Sequence, residues 1–426
     1  MKKLKLLLLA TAFPIAAAAQ TLSLDECQRL AEENYPAVKQ YALIEQTADL
    51  NVKNIKKGWL PQVQAFGQAT VQTDVMTLPD PLQKMLAQQG YEYEGLKKDQ
   101  YKIGAEINQT IWDGGIIKAQ KNIALAQSQI LTAKTKAEVS QIKQRVNDLY
   151  FSALLIDEKI KLCGELVTLL DSNRVKLEKM HRGGLVTGGD VLSIKAELTS
   201  AERQQIELTS AKRQILKVLA AFTGQENIDS LIIPGDIAPA TGCHRTELEI
   251  FDAQNLLYDS QESILKAKKM PKIGAFAQGY YGYPGLNMFE DMFSHDFTLN
   301  GIIGARISWN IGSLYTNKND RQNIAIQRDV AQSQRETFLF NNNLQQVKQN
   351  ESIARYDQLF DKDNEVIAIR RDIRKAAEAK LQKGVIDVNT LLQEITKENQ
   401  ALLDLSAHKI ERLNELYNLK LTTDNY

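Results

Sequence analysis

Four stretches of the chain alternate apolar and polar residues with a period of two. In 61–73 the residues Val63, Ala65, Ala69 and Val71 take odd positions and Gln62, Gln64, Gln68 and Gln72 take even ones. In 101–112 the odd face carries Tyr101, Ile103, Ala105, Ile107 and Ile111, and the even face Lys102, Glu106 and Asn108. In 271–283 Ile273, Ala275, Ala277, Tyr281 and Tyr283 stand against Lys272, Gln278 and Tyr280. In 297–311 Phe297, Leu299, Ile303, Ala305, Ile307 and Ile311 stand against Thr298, Asn300, Arg306 and Ser308. This alternation predicts β-strands. Their length, roughly ten residues or more, is that of a membrane-barrel strand. Four strands cannot close a barrel, for which about eight are needed. An open edge in lipid would leave backbone groups unsatisfied. Strands placed in a membrane therefore require several copies of the chain. A soluble sheet is the reading left open by the alanine-rich odd faces.

Between and after the strand pairs the period changes. From 116 to 182 there is no proline, and the only glycine is Gly164. Val139, Val146, Ala153, Ile160 and Val167 alternate with Ile142, Leu149, Ile156, Cys163 and Leu170 at the three-four spacing of a coiled-coil seam. Leu154, Leu155, Leu162, Leu166 and Leu169 form a second stripe, so this helix packs on two sides. A second long helix is predicted over 314–383. Asn341, Asn342, Asn343, Gln345, Gln346, Gln349 and Asn350 make one of its faces polar, as either a solvated face or a wet lumen would require. Shorter returning helices follow at 189–222 and 387–419. Each covers half the length of the helix before it, so helices near 35–57 and 246–269 must cover the remainder.

The whole series occurs twice, about 200 residues apart. IGAEINQTIWDGG from Ile103 is echoed by IGARISWNIG from Ile303, and RGGLVT from Arg182 by KGVID from Lys383. Such ordered self-similarity marks one body built of two interlocked halves. The predicted layout is a leader at 1–19, a first repeat at 20–223, a connector at 224–245 and a second repeat at 246–421. Trp59, Trp112 and Trp309 fall beside strand ends, at one rim if the strands pair as hairpins. Indole rings there serve a membrane–water interface or plug a strand–helix corner.

Lys2, Lys3 and Lys5 before the apolar run Leu6–Ile15, with Ala17, Ala18 and Ala19 before Gln20, read as an export signal. The full chain has zero formal net charge. Losing three leader lysines leaves it slightly acidic, which gives no electrostatic case for nucleic acid. Cys27, Cys163 and Cys243 are too few and too scattered for a disulfide framework or a zinc site. His181, His244, His295 and His408 lie in no metal-ligand spacing, and no phosphate loop or nucleophile elbow occurs. No metal, cofactor or catalytic centre is expected.

The duplicated layout, the strand-to-helix passage INQTIWDGG from Ile107, and the breaks HRGGLVTGGDVL from His181 and LQKGVIDVNTLL from Leu381 resemble the TolC-like outer-membrane efflux protein family. The resemblance implies a mixed α and β membrane protein. In it, a homotrimer pools four strands per chain into a 12-stranded outer-membrane barrel in outer-membrane lipid. A long coiled-coil tunnel crosses the periplasm. It implies as partners a periplasmic adaptor and an inner-membrane pump of RND or ABC type. Gly184, Leu185, Val186 and Thr187, with Gly384, Val385, Ile386 and Asp387, become the tips that meet the adaptor. Taken alone, they also read as ordinary helix–helix turns. The family's acidic constriction past the second tip matches Thr390 and Gln393 here, a departure that removes the aspartate ring. Asp190 after the first tip retains an acid, either for gating or to cap the returning helix. The competing class is a periplasmic adaptor-like or structural coiled-coil protein. One hairpin flanked by soluble β-domains would mark it, rather than two hairpins each preceded by a strand pair.

Overall fold

The computed structural model describes residues 21–239 and 242–423, so the expected leader at 1–19 lies outside the described residues. In chain order the elements are β1 (Thr21–Leu22), α1 (Leu24–Asn34), α2 (Lys39–Lys56), β2 (Gln62–Val71), α3 (Asp80–Gln88), β3 (Asp99–Trp112), α4 (Ile116–Arg182), α5 (Gly188–Thr223), β4 (Ser230–Leu231), α6 (Leu248–Lys268), β5 (Lys272–Tyr283), β6 (Thr298–Ser308), α7 (Ser313–Gln382) and α8 (Val388–Thr423). Helix α4 has 67 residues and α7 has 70. Each is about 100 Å long at 1.5 Å per residue. No helix among the described residues is long and apolar enough to cross a membrane.

Two compact units emerge, and each draws on both repeats: one from residues 42–133 and 249–335, the other from the remainder. The repeats are thus not separate domains. The first unit holds a four-stranded antiparallel sheet in the order β2-β3-β5-β6, so the two hairpins meet along β3 and β5. Register pairs Val63 with Ile107, Ile107 with Ala277, and Ala277 with Ile303. The next row on that face but one runs Gly67, Ile103, Tyr281, Leu299. The odd face is apolar through these rows, and it is bare: Leu299 and Ile303 are each 83% exposed. The opposite face carries Gln64, Glu106 and Gln278 side by side. Glu106 there lies 3.9 Å from Arg306, whose guanidinium sits 4.6 Å from the Phe276 ring centre.

The loops at the far end of the hairpins are folded against each other. Leu96, Tyr283 and Met292 are buried there, with Tyr93 and Phe293 packed on them. The Tyr283 hydroxyl accepts from the Lys97 amide at 3.1 Å and donates to the Asp291 carbonyl at 3.2 Å. Gly285 N–H donates to the buried Asp291 carboxylate at 2.7 Å. His295 joins Glu94 at 2.5 Å and the Gly95 carbonyl at 2.8 Å. This small core, and α3 within its loop, were not expected from the strand pattern.

The second unit is helical. Its larger core gathers Leu24, Cys27 and Ala31 of α1, Ile142, Val146, Tyr150 and Leu154 of α4, Leu219 and Ala220 of α5, and Ile410 of α8. The seam positions Val146, Ala153 and Cys163 of α4 are buried, as are Leu154 and Leu162 of its second stripe. Burial pushes the Cys27 thiol up to about 12, and the Cys163 thiol donates to the Ala201 carbonyl at 3.3 Å. Both behave as packed apolar groups. A buried amide chain crosses the core: Gln28 donates to Asn147 at 2.6 Å, and Asn147 donates to Asn418 at 3.0 Å. It ties α1, α4 and α8 in one register, since an unpaired amide in this interior would carry its full desolvation cost.

Helix α1 was missing from the expected layout, which began its first helix near residue 35. Ser23 caps α1 by accepting from the Glu26 amide at 3.3 Å. Helix α8 runs one turn beyond the expected end at 419, to Thr423, because Leu416, Leu419 and Ile353 form a further small core. The polar stretch of α7 is divided in use. Asn342 donates to the Cys243 sulfur at 3.4 Å and Gln346 to the Gly242 carbonyl at 3.1 Å, so these two hold the connector. Gln349 is buried, while Asn341, Asn343, Gln345 and Asn350 are exposed.

Candidate functional site

The two helix breaks fold in the same way. After α4 the Gly184 amide donates to the His181 carbonyl at 3.0 Å and the Leu185 amide to the Met180 carbonyl at 3.0 Å. After α7 the Gly384 amide donates to the Leu381 carbonyl at 2.9 Å and the Val385 amide to the Lys380 carbonyl at 3.0 Å. This paired closure satisfies the last carbonyls of each long helix and requires a left-handed residue. Gly184 at φ +78° and Gly384 at φ +67° supply it. A Cβ at either glycine would meet nothing within 4 Å, so only the backbone angle, not space, restricts these positions.

The returning helices begin with mirrored caps. At the first break Thr187 is the cap. Its hydroxyl oxygen accepts from the Asp190 amide at 3.2 Å, and Asp190 accepts from the Thr187 amide at 2.8 Å. At the second break the roles are exchanged. Asp387 accepts from the Thr390 amide at 2.8 Å and from its hydroxyl at 2.6 Å. Those bonds, the hydroxyl first, hold the Asp387 carboxyl below the usual carboxylate range. Thr-x-x-Asp and Asp-x-x-Thr are thus two spellings of one helix start. Of the expected gate residues, Asp190 and Thr390 have polar atoms in these caps, and Gln393 is exposed on α8.

Beneath both breaks lies one shared core. Leu170 and Leu177 of α4, Val191 and Ile194 of α5, Ala377 and Leu381 of α7, and Val388, Leu391 and Ile395 of α8 are buried together. Val186 and Ile386 pack against it. The preceding residue in each turn does the opposite: Leu185 is 69% exposed and Val385 67%. In this turn type that side chain commonly folds back onto its own helix. Here two apolar knobs stand in solvent above a rigid four-helix base. The pairs Arg174–Glu178 at 2.9 Å and Arg374–Glu378 at 2.6 Å brace the two long helices below the breaks at equivalent positions.

The tryptophans lie in the unit that holds the sheet. Trp59 precedes β2, Trp112 ends β3 and Trp309 follows β6, and the pairings Gln62 with Asn108, Trp112 with Ile273 and Lys272 with Ser308 set all three at one end of it. All three rings are partly exposed. Trp309 also donates to the Lys269 carbonyl at 2.9 Å, and the Trp59 carbonyl accepts from Gln109 at 2.7 Å. Trp309 therefore ties the strand–helix corner, and all three rings still present surface. At the same end, Asp113 accepts from the amides of Gly115 at 2.8 Å and Ile117 at 2.6 Å and so starts α4. Asp113 was not singled out in the sequence, although Trp-Asp-Gly-Gly before a helix is a readable cap.

A sheet with one bare apolar face and, among the described residues, two unpaired outer edges is joined in one chain to two equivalent helical hairpins. Residues 28–225 match the sequence model of the family described as outer membrane efflux protein. No curated protein matches the sequence. In fold the chain is similar to a membrane protein from Pseudomonas aeruginosa, at TM-score 0.69 and 13% identity, with 94% of this chain and 90% of that one covered. It is similar to the CmeC outer membrane channel of Campylobacter jejuni, at TM-score 0.64 and 12% identity, with 94% and 85% covered. It is also similar to the open state of the MtrE outer membrane channel of Neisseria gonorrhoeae, at TM-score 0.63 and 13% identity, with 94% and 88% covered. The sequence match covers residues 28–225 only, and the fold of nearly the whole chain is the one these outer membrane channels share.

Proposed function

We propose that the protein is the outer-membrane channel of a tripartite efflux or secretion system, a passive exit duct that spends no energy of its own. The observation that carries this reading is the sheet. Its odd face has no charged residue through the rows from Ala69–Tyr101 to Ile273–Ile307, and the outer edges of β2 and β6 have no partner among the described residues. Lipid suits the face, and copies of the same chain suit the edges. Three copies give about twelve strands, enough for a barrel with a wet lumen. The even face, with Gln64, Glu106 and Gln278, would line it. Trp59, Trp112 and Trp309 would sit at the membrane–water boundary. An adaptor-like protein, the other class left open by the sequence, has no use for such a face.

The hairpin tips would meet a periplasmic adaptor, behind which stands an inner-membrane pump of RND or ABC type. Leu185 and Val385 are the contact knobs. Val186 and Ile386 fix them to the core, and Gly184 and Gly384 set the turn. Docking there would bias the hairpins between a closed and an open arrangement. Gln393, exposed on α8, remains available to such a closure, whereas Asp190 and Thr390 are engaged in caps.

Single cysteines at Ile303 and at Gln278, introduced into the full chain in intact outer membranes, test this reading. A water-soluble maleimide is expected to label the cysteine at 278 and leave the one at 303 untouched, while a lipid-borne quencher silences a fluorophore at 303 only. Equal labelling of both from water would place the sheet outside a membrane and overturn the proposal.

A further inference from the structure

The far ends of the two hairpins are held together at one side chain. His295, in the loop between β5 and β6, stands between two groups of the loop between β2 and β3. Its Nδ1 lies 2.5 Å from the Glu94 carboxylate, and its Nε2 lies 2.8 Å from the Gly95 carbonyl. A carbonyl only accepts, and so does an ionised carboxylate, whereas a neutral imidazole has a single N–H to give. The bridge therefore holds two protons. A ring with one would set a lone pair against an acceptor. The two acceptors are not equally free to leave. Gly95 is buried, and its amide donates to the Met292 carbonyl at 3.1 Å. The Glu94 side chain is 59% exposed, against 14% for His295.

The surroundings favour the charged ring. Tyr283, at the end of β5, meets His295 edge to face with 5.4 Å between ring centres. The carboxylates of Asp291, Asp99 and Glu94 lie close enough to act on the Tyr283 hydroxyl. Asp291, in the same loop as the ring, is buried and accepts from the Gly285 amide. Lys97 and Lys98, the cations that follow in the β2–β3 loop, are exposed.

We infer that His295 is a proton-operated clasp between the two loops. With both protons it joins Glu94 and Gly95 to the β5–β6 loop, and with one it keeps Gly95 and releases Glu94. Imidazole is the side chain that exchanges such a proton between about pH 5 and 8. The clasp is closed in acid, and its contribution is lost as pH rises through that range. On the function proposed above, these loops stand at the outer mouth of the duct, where external acidity would set how firmly the mouth is held. The clasp itself rests on the loops and not on that reading.

Limited trypsin digestion of the detergent-extracted protein, at pH values from about 6 to 8.5, tests it. Cleavage after Lys97 requires the loop to come free, because Leu96 is buried and the Lys97 amide donates to the Tyr283 hydroxyl. The product is identified by mass spectrometry. At each pH the rate is divided by that of Glu94→Gln, which cancels the pH dependence of the protease. Glutamine there either donates to a neutral Nδ1 or accepts from a charged ring, so that variant keeps the bond throughout. The ratio is expected to rise about three- to fivefold from the acid to the alkaline end, the scale of one partly exposed charged pair. His295→Gln, divided in the same way, should show no such rise. A flat ratio for the unaltered protein would overturn the clasp. So would a rise that persists in His295→Gln, since another group would then be the sensor. A chain found not to span a membrane would still give the ratio, so the clasp and the channel reading fail separately.

Discussion

The sheet and the helical unit are built from the same apolar residue types and turn them in opposite directions. Ile303 and Leu299 on the sheet are 83% exposed, whereas Val146 and Leu219 among the helices are wholly buried. In the helical unit the chain itself provides the apolar surroundings, with α1, α4, α5 and α8 meeting in one core. In the sheet nothing among the described residues does so, although β2, β3, β5 and β6 pair along their shared edges. A protein that met only water would not keep such a face. The difference teaches that the same apolar residue types serve two surroundings, and on the proposed reading lipid and other copies of the chain complete the sheet.

The comparison can be broken most sharply on the sheet. Ile303→Arg puts a charge in a central row of the bare face, at a cost of about 2–4 kcal/mol per chain in a bilayer. The expected result is loss of the assembled species from the outer membrane, followed by immunoblot of unheated samples. Gln278→Arg, one residue from the Ile303 partner Ala277 but on the other face, should assemble normally. Within the helical unit, Leu219→Ala should lower stability by about 2–5 kcal/mol because a cavity replaces a fully buried side chain. The same truncation at Leu299 should leave the thermal midpoint of the detergent-solubilised protein almost unchanged.

Smaller effects sharpen the picture of the tips. Thr187→Ala removes the cap of α5 and is expected to cost about 1 kcal/mol, seen as faster amide exchange in its first turn. Acid should loosen the second tip. The Asp387 carboxyl has a depressed pKa in the folded chain. Its contribution is therefore complete above the unfolded value of about 3.9 and is lost as pH falls through the lower folded value. Amide protection at Thr390 should fall in that window, and Asp387→Asn should flatten the dependence.

Much of this fold is legible because its periods are long and pure. Four runs of period two locate the strands. Two stretches almost free of glycine and proline locate α4 and α7. Helix α1 escaped because it is short and lies next to the leader, although Ser23 with Glu26 three residues on is a cap signal. The buried chain of Gln28, Asn147 and Asn418 was illegible for a different reason. Its partners come from three distant parts of the chain, and a polar residue beside a seam reads as solvated. At the tips, residue types pointed to the turns. The capping of Asp190 by Thr187, however, was readable from spacing alone and competed with a gating reading suggested by resemblance. That Leu185 and Val385 stand free, rather than folding back, is decided by Val186 and Ile386 taking the core positions beside them, which only the packed structure reveals.

The central claim is that one chain supplies a third of a barrel. Native mass spectrometry of the protein extracted from the outer membrane in detergent tests it most directly. The account predicts the mass of three chains, with Ile303→Arg failing to give it. A monomer, or a soluble protein released with the periplasm, would leave the bare face and open edges of the sheet without occupants and would contradict the account.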